Sequence, residues 1–179
     1  MTDDPKLWEF TFAVEVSARY HEWRRAWLER AVRWARGATM AGAMLALLAA
    51  CGEFTWLSPW WIPVAAVAIA TINLWELIFG VNQRALEHKD LYRRFKTLQE
   101  RIARERENWA QHLPEWEAEA QAIRRDEPPT WWALYATCWN QTIERYGVER
   151  KGYYRRGGPV RRWLRNILPF SPHQFPAQS

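Results

Sequence analysis

Polar and apolar positions are spread very unevenly along this chain. Two uninterrupted apolar runs, residues 37–57 and 60–80, occupy its middle, with only Ser58 and Pro59 between them. Each run is about as long as a helix must be to cross a hydrocarbon layer of ~30 Å. The connector is too short for anything but a tight turn. The pattern therefore predicts a transmembrane hairpin, with spans at 37–57 and 61–80 and a turn at 58–60.

On both flanks the apolar positions become periodic. Leu7, Phe10, Val14, Trp27, Ala31 and Trp34 fall near one helical stripe, interleaved with Glu and Arg. They predict an amphipathic cytoplasmic helix over 1–36 that runs directly into the first span, since Gly37 alone would not stop it. The second span is expected to leave through Gly80, Val81 and Asn82 without a break, into a helix over 83–109. There Leu91, Phe95, Leu98 and Ile102 recur at spacings of four, three and four, a coiled-coil-like seam. The flanks thus continue the hairpin as an antiparallel helical stalk.

Pro114 is expected to interrupt that pattern, followed by a short helix over 115–125. The turn Asp126-Glu127-Pro128-Pro129 then breaks the chain, because proline opposes a helix on its N-terminal side, and sets the angle of the next helix. Thr130 is the expected cap of a helix over 131–145 that ends at Tyr146 and Gly147. Residues 81–147 are read as a cytoplasmic helical region and 148–179 as a basic amphipathic tail. In that tail Val160, Trp163, Leu164, Ile167 and Leu168 line one helical face opposite arginines. The fold class is an all-α membrane protein: a two-helix transmembrane hairpin continued into a cytoplasmic antiparallel helical stalk, plus small C-terminal helices.

Charge orients this arrangement. Arg19, Arg24, Arg25, Arg30, Arg33 and Arg36 precede the first span; Arg84, Lys89, Arg93, Arg94 and Lys96 follow the second. The turn has neither Lys nor Arg, so both flanks are expected to stay in the cytoplasm and the turn to reach the far side of the membrane. Among the 14 tryptophans, Trp56, Trp60 and Trp61 flank the turn and Trp75 lies toward the opposite bilayer edge. The others read as packing of amphipathic faces.

Candidate chemistry is sparse. The two cysteines, Cys51 and Cys138, are expected to be free thiols. Leu48-Ala49-Ala50-Cys51 resembles a lipoprotein cleavage box, but the basic helical stretch before it is too long for a signal peptide and a second span follows. His21, His88, His112 and His173 have no spacing that builds a metal site on one helix. No Gly-rich phosphate loop or activated nucleophile is evident, so neither enzymatic activity nor a cofactor or metal is expected.

Polar residues within the spans carry more information. Asn73 and Glu76 lie three apart, hence on one side of the helix. They line a pore in an oligomer, or else Glu76 snorkels to the membrane edge and pairs with Arg36 or Arg33. Glu53, close to the far edge, says less. Gly37 and Ala41, with the series Gly42, Ala46 and Ala49 or Ala50, provide small residues for close helix approach, within a hairpin or between subunits. In the tail, Arg155, Arg156, Arg161, Arg162, Trp163 and Arg165 suit contact with an anionic leaflet. Those arginines and the pair Tyr153-Tyr154 also suit nucleic acid. Beside a hairpin the lipid surface is the expected partner, and nucleic acid is not.

The order of elements resembles the SLATT family of bacterial two-span effectors. The likeness rests on His88, Leu91-Tyr92-Arg93-Arg94-Phe95, Leu98 and Ile102, then Arg124-Arg125-Asp126-Glu127-Pro128-Pro129, Ala133-Leu134 and Cys138-Trp139-Asn140, and covers about residues 8–147. The resemblance implies a non-enzymatic, homo-oligomeric effector that forms or gates a pore in the inner membrane during anti-phage defence. It also implies a trigger, a separately encoded sensor protein or a nucleotide signal. This chain departs from the family in showing no recognisable sensor domain and in its arginine-rich tail, so a neighbouring gene product supplies the trigger or the protein acts constitutively in another envelope role. The competing expectation is a scaffold or adaptor, such as a prophage-encoded one, that recruits a soluble partner through its tryptophan-rich helices. A membrane-tethered nucleic-acid binder is a third.

Overall fold

A computed structural model describes residues 4–51 and 60–147, together with Tyr154. Five α-helices follow in order: α1 (Pro5–Ala50), α2 (Trp61–Phe79), α3 (Val81–Arg104), α4 (Trp109–Arg125) and α5 (Trp132–Tyr146). A 3-10 turn, Arg106–Asn108, separates α3 from α4, and there is no strand among the described residues. The all-α class is therefore what the chain adopts. The helices belong to two compact units, one using Met1–Arg24 and Glu87–Ser179, the other Arg25–Leu86.

Helix α1 is a single run of 46 residues. Asp4 starts it: Lys6 N and Leu7 N donate to Asp4 Oδ1 at 2.9 and 3.4 Å. Pro5 takes the first helical position, where a missing N–H forfeits nothing. The helix continues through Gly37 as expected. The exit from α2 does not: Gly80 adopts φ 53° and ψ 40°, and α2 and α3 are bent by 43° there. Lacking a Cβ, glycine enters this left-handed conformation without the usual steric penalty.

Three further boundaries differ from expectation. α3 ends at Arg104, and the break falls at Glu105–Asn108, while Pro114 sits inside α4. Side chains explain the shift. Arg101 pairs with Glu105 (3.4 Å), Glu115 (2.7 Å) and Glu119 (2.8 Å), and Trp116 Nε1 donates to Glu105 Oε2 at 3.2 Å. These contacts close the α3–α4 corner and hold the early turns of α4, where Pro114 removes one backbone donor. Thr130 does not cap α5; Trp131 occupies that position without a side-chain cap, and its N–H donates to Tyr20 Oη at 3.0 Å. Gly147 ends α5 in the left-handed conformation, as expected.

In the first unit, Leu91, Phe95, Leu98 and Ile102 of α3 are buried against Leu7, Val14 and Ala18 of α1 and Trp116, Ala120 and Ile123 of α4. Leu7 and Ile102 line one cavity, whereas His21 meets His88, so α1 and α3 run antiparallel within this unit. A second face of α1, including Phe12, Val16 and Tyr20, packs on α5 through Ile143, Leu134 and Cys138. The seam thus sits in a four-helix unit, not in a bare two-helix stalk. In the second unit Leu28 and Val32 are buried with Val81 and Ala85. Trp34, expected on the packed stripe, is 80% exposed; the buried face runs through Leu28, Val32 and Ala35.

Among the described residues no single helix is long and apolar enough to cross a membrane. The bent pair Pro63–Phe79 with Val81–Arg104 meets those requirements only together. The apolar run that begins at Gly37 extends in the sequence beyond Cys51, outside the described residues.

Phe95 has no exposed surface and sits at the centre of the first unit. Phe95→Ala should destabilise the protein by about 3–5 kcal/mol. Chemical denaturation monitored by helical circular dichroism will measure this, and an unchanged midpoint would contradict the core assignment.

Candidate functional site

The second unit presents an apolar helical pair that its own packing leaves largely uncovered. Met40, Met44, Leu45 and Leu47 on α1, and Val64, Val67, Leu74, Trp75, Leu77, Ile78 and Phe79 on α2, are all exposed, Leu77 by 78%. The two helices approach closely at Gly42, where an added Cβ would collide with the side chain of Ile69. The small residue at Gly42 therefore serves contact within the hairpin. Near it a polar link crosses the same pair: Thr39 Oγ1 lies 3.2 Å from Asn73 Oδ1 and 3.0 Å from Ala35 O.

Asn73 remains exposed despite this link, and Glu76, one turn further on, is half-buried. Among the described residues no ion pair joins Glu76 to Arg33 or Arg36. Exposed Trp60 and Trp61 stack on each other at 4.2 Å between ring centroids, at the start of α2. Cys51 is exposed and Cys138 buried, and both are free thiols.

The other expected site residues fall in the first unit or outside the described chain. Leu91, Phe95, Leu98 and Ile102 are core residues. Asp126 ends α4 and pairs with Arg94, while Pro128 is half-buried and Pro129 exposed. Glu127 turns inward, with Oε1 3.3 Å from His21 Nε2, at a geometry that makes no hydrogen bond. Arg155, Arg156, Arg161, Arg162, Trp163 and Arg165 lie outside the described residues, as does the turn at 58 and 59. Only Tyr154 of the tail is described. Its N–H donates to Asn140 Oδ1 and its carbonyl accepts from Asn140 Nδ2, both at 2.8 Å, while its ring meets Trp139 edge-on.

A polar cluster that sequence reading missed lies beneath the Asp126–Pro129 turn. His21 and His88, dispersed in sequence, are both buried, with their Nδ1 atoms 2.8 Å apart. At that distance one ring must donate and the other accept, so the pair shares one proton between its facing nitrogens. Phe95 stacks on His21 at 5.7 Å, and Tyr20 packs edge-on to both imidazoles. Burial pushes the Tyr20 hydroxyl above its ordinary pKa. Arg24 lies over the Trp131 ring at 3.7 Å, completing a cation–π contact beside the cluster. No group of three or more His, Cys, Asp or Glu among the described residues could hold a metal ion.

No protein-family model, characterised protein or solved structure matches the chain.

The histidine pair makes a quantitative prediction. His88→Leu leaves His21 Nδ1 buried beside an apolar group and should cost about 1–3 kcal/mol. Combining it with His21→Leu should lose less than the sum of the two single changes. A double-mutant cycle on thermal stability will measure the coupling; strict additivity would show that the two rings do not interact.

Proposed function

We propose that this protein is an oligomeric two-span inner-membrane effector that forms or gates a pore, consistent with the likeness to SLATT proteins. The observation that carries this reading is the uncovered apolar surface of the α1–α2 pair. Contiguous apolar patches of this extent mark a membrane or a partner. Helices are also the form in which a chain meets hydrocarbon with its backbone hydrogen bonds satisfied.

Magnitudes favour the bilayer over water. Burying one large apolar side chain stabilises by about 1.5–3 kcal/mol. A carboxylate near mid-membrane costs about 2.5–3.5 kcal/mol on insertion scales. Eleven exposed apolar side chains on the pair, as named above, outweigh the single carboxylate of Glu76. Two spans cannot enclose a channel, so several copies assemble, with Asn73 and Glu76 lining or stabilising the assembly. Both termini lie in the cytoplasm, and the arginine-rich tail holds the C-terminal part against the anionic leaflet. The trigger comes from a separately encoded sensor or a nucleotide signal.

The adaptor reading has less support. All seven tryptophans of the described first unit, from Trp8 to Trp139, pack within its own clusters. Little indole surface is left there to recruit a partner.

Reconstitution in liposomes tests the proposal. The full chain should run as an oligomer and release ions, and Glu76→Leu should lower flux severalfold without lowering the melting temperature. A strictly monomeric protein that never depolarises membranes would refute it.

A further inference from the structure

Between the first turns of α1, the end of α3 and the end of α5, the first unit contains an open cavity of about 490 Å³. That volume lies within the ~300–1,000 Å³ range of small-molecule sites. Leu7, Ile102 and Ala103 form an apolar floor, and Trp8 and Tyr146 an aromatic wall. Trp8 is held by stacking on Phe12 at 5.1 Å and by an edge contact with Tyr146 at 6.4 Å.

The polar inventory of this cavity is lopsided. Its one carboxylate, Glu15, is engaged by Arg19 at 3.1 Å, Arg145 at 3.2 Å and the Tyr146 hydroxyl at 2.6 Å. Burial, reinforced by the hydrogen bond to Glu15, pushes the Tyr146 hydroxyl up to about 12, so it stays a donor to that carboxylate. By contrast, neither Lys96 nor Arg106 makes an ion pair among the described residues. Trp8 Nε1 is buried and has no hydrogen-bond partner among them. The cavity therefore offers two uncompensated cations and one orphaned N–H donor, and no uncompensated anion. A buried donor without an acceptor costs about 1–3 kcal/mol, which an incoming oxygen would relieve.

We infer that this cavity binds a small organic phosphate: an aromatic body on the Leu7–Ile102 floor, its dianionic phosphate held by Lys96 and Arg106. A phosphomonoester carries about −1.5 to −2 charge at neutral pH, which matches two cations. Guanidinium and ammonium groups are the side chains that bind phosphate most strongly. Trp8 Nε1 donates to an oxygen of the same ligand. The basic tail of this chain is excluded as occupant by its charge, because it would bring arginines to a site already cationic. This inference concerns the first unit alone and stands whether or not the hairpin forms a pore.

Phenyl phosphate is the probe, titrated into the full-length protein in nanodiscs of zwitterionic lipid. Binding should be saturable by calorimetry, with inorganic phosphate at least about tenfold weaker and benzyl alcohol giving no saturable heat. The Trp8 indole N–H resonance, assigned by its loss in Trp8→Phe, should shift with the same midpoint. Lys96→Glu and Arg106→Glu should each weaken binding about tenfold or more, the effect of losing one charge-assisted hydrogen bond. Lys89→Glu, an equal charge change on α3 outside the cavity, should leave binding unaltered. Absence of saturable binding, a stationary Trp8 resonance, or equal weakening by Lys89→Glu would each overturn the assignment. The resonance test uses wild-type protein and decides the matter even if a charge-reversal variant misfolds.

Discussion

Leu91, Phe95, Leu98 and Ile102 put four apolar side chains on one edge of α3, and water is the worst neighbour they could have. α1 covers that edge with Leu7, Val14 and Ala18, and α4 covers it with Trp116, Ala120 and Ile123. A two-helix stalk has too little surface to enclose a phenylalanine and an indole, so α4 must fold back. The corner that lets it do so is tied by Arg101, which pairs with Glu105 before the 3-10 turn and with Glu115 and Glu119 beyond it. α5 then closes the opposite face of α1, and the position of Trp131 is fixed from that face by Tyr20. The cavity beside Leu7 and the buried imidazole pair are both consequences of this packing, at opposite ends of the α1–α3 contact within the first unit.

Local periodicity made much of this legible. The α3 seam, the continuity of α1 through Gly37, the helix after the double proline and its end at Gly147 all follow from residues within a few positions of one another. α1 was harder because it buries two faces in its first part, toward α3 and toward α5. A single stripe through Trp27, Ala31 and Trp34 is one residue out of phase with the buried Leu28, Val32 and Ala35. Gly80 could be recognised as a glycine but not as a left-handed one, since its φ of 53° reflects how the chain resumes on the other side. Pro114 misled for a similar reason: the Arg101 network holds α4 together around it. His21 and His88 were out of reach of spacing arguments altogether, being 67 positions apart and joined only by the antiparallel register.

The hairpin residues illustrate a finer limit. A carboxylate three positions after an asparagine announces a polar side to α2, yet the sequence leaves open which neighbour meets it. Within the chain, Thr39 takes one site of Asn73, and Glu76 has neither Arg33 nor Arg36 within ion-pair reach. The alternative pairing of Glu76 with Arg33 or Arg36 is therefore not made among the described residues.

An asparagine side chain offers two donors and two acceptor sites, and the Thr39 contact uses only one position on its oxygen. The rest of Asn73 is exposed, beside Leu74, Leu77 and Ile78 on a surface that is largely apolar apart from Glu76 and Thr71. In the proposed bilayer setting those remaining groups would face hydrocarbon and lose their hydrogen bonds. Interhelical bonds between such side chains are worth about 0.6–2 kcal/mol in membranes. That is modest, but it is directional, whereas the apolar contacts around it are not. In the proposed oligomer a second copy of the same hairpin would supply both the missing partners and apolar cover of matching length. In the proposed assembly Asn73 would set which faces of neighbouring copies meet, and Glu76, three residues on along the same side, would be carried toward an interior that water can reach.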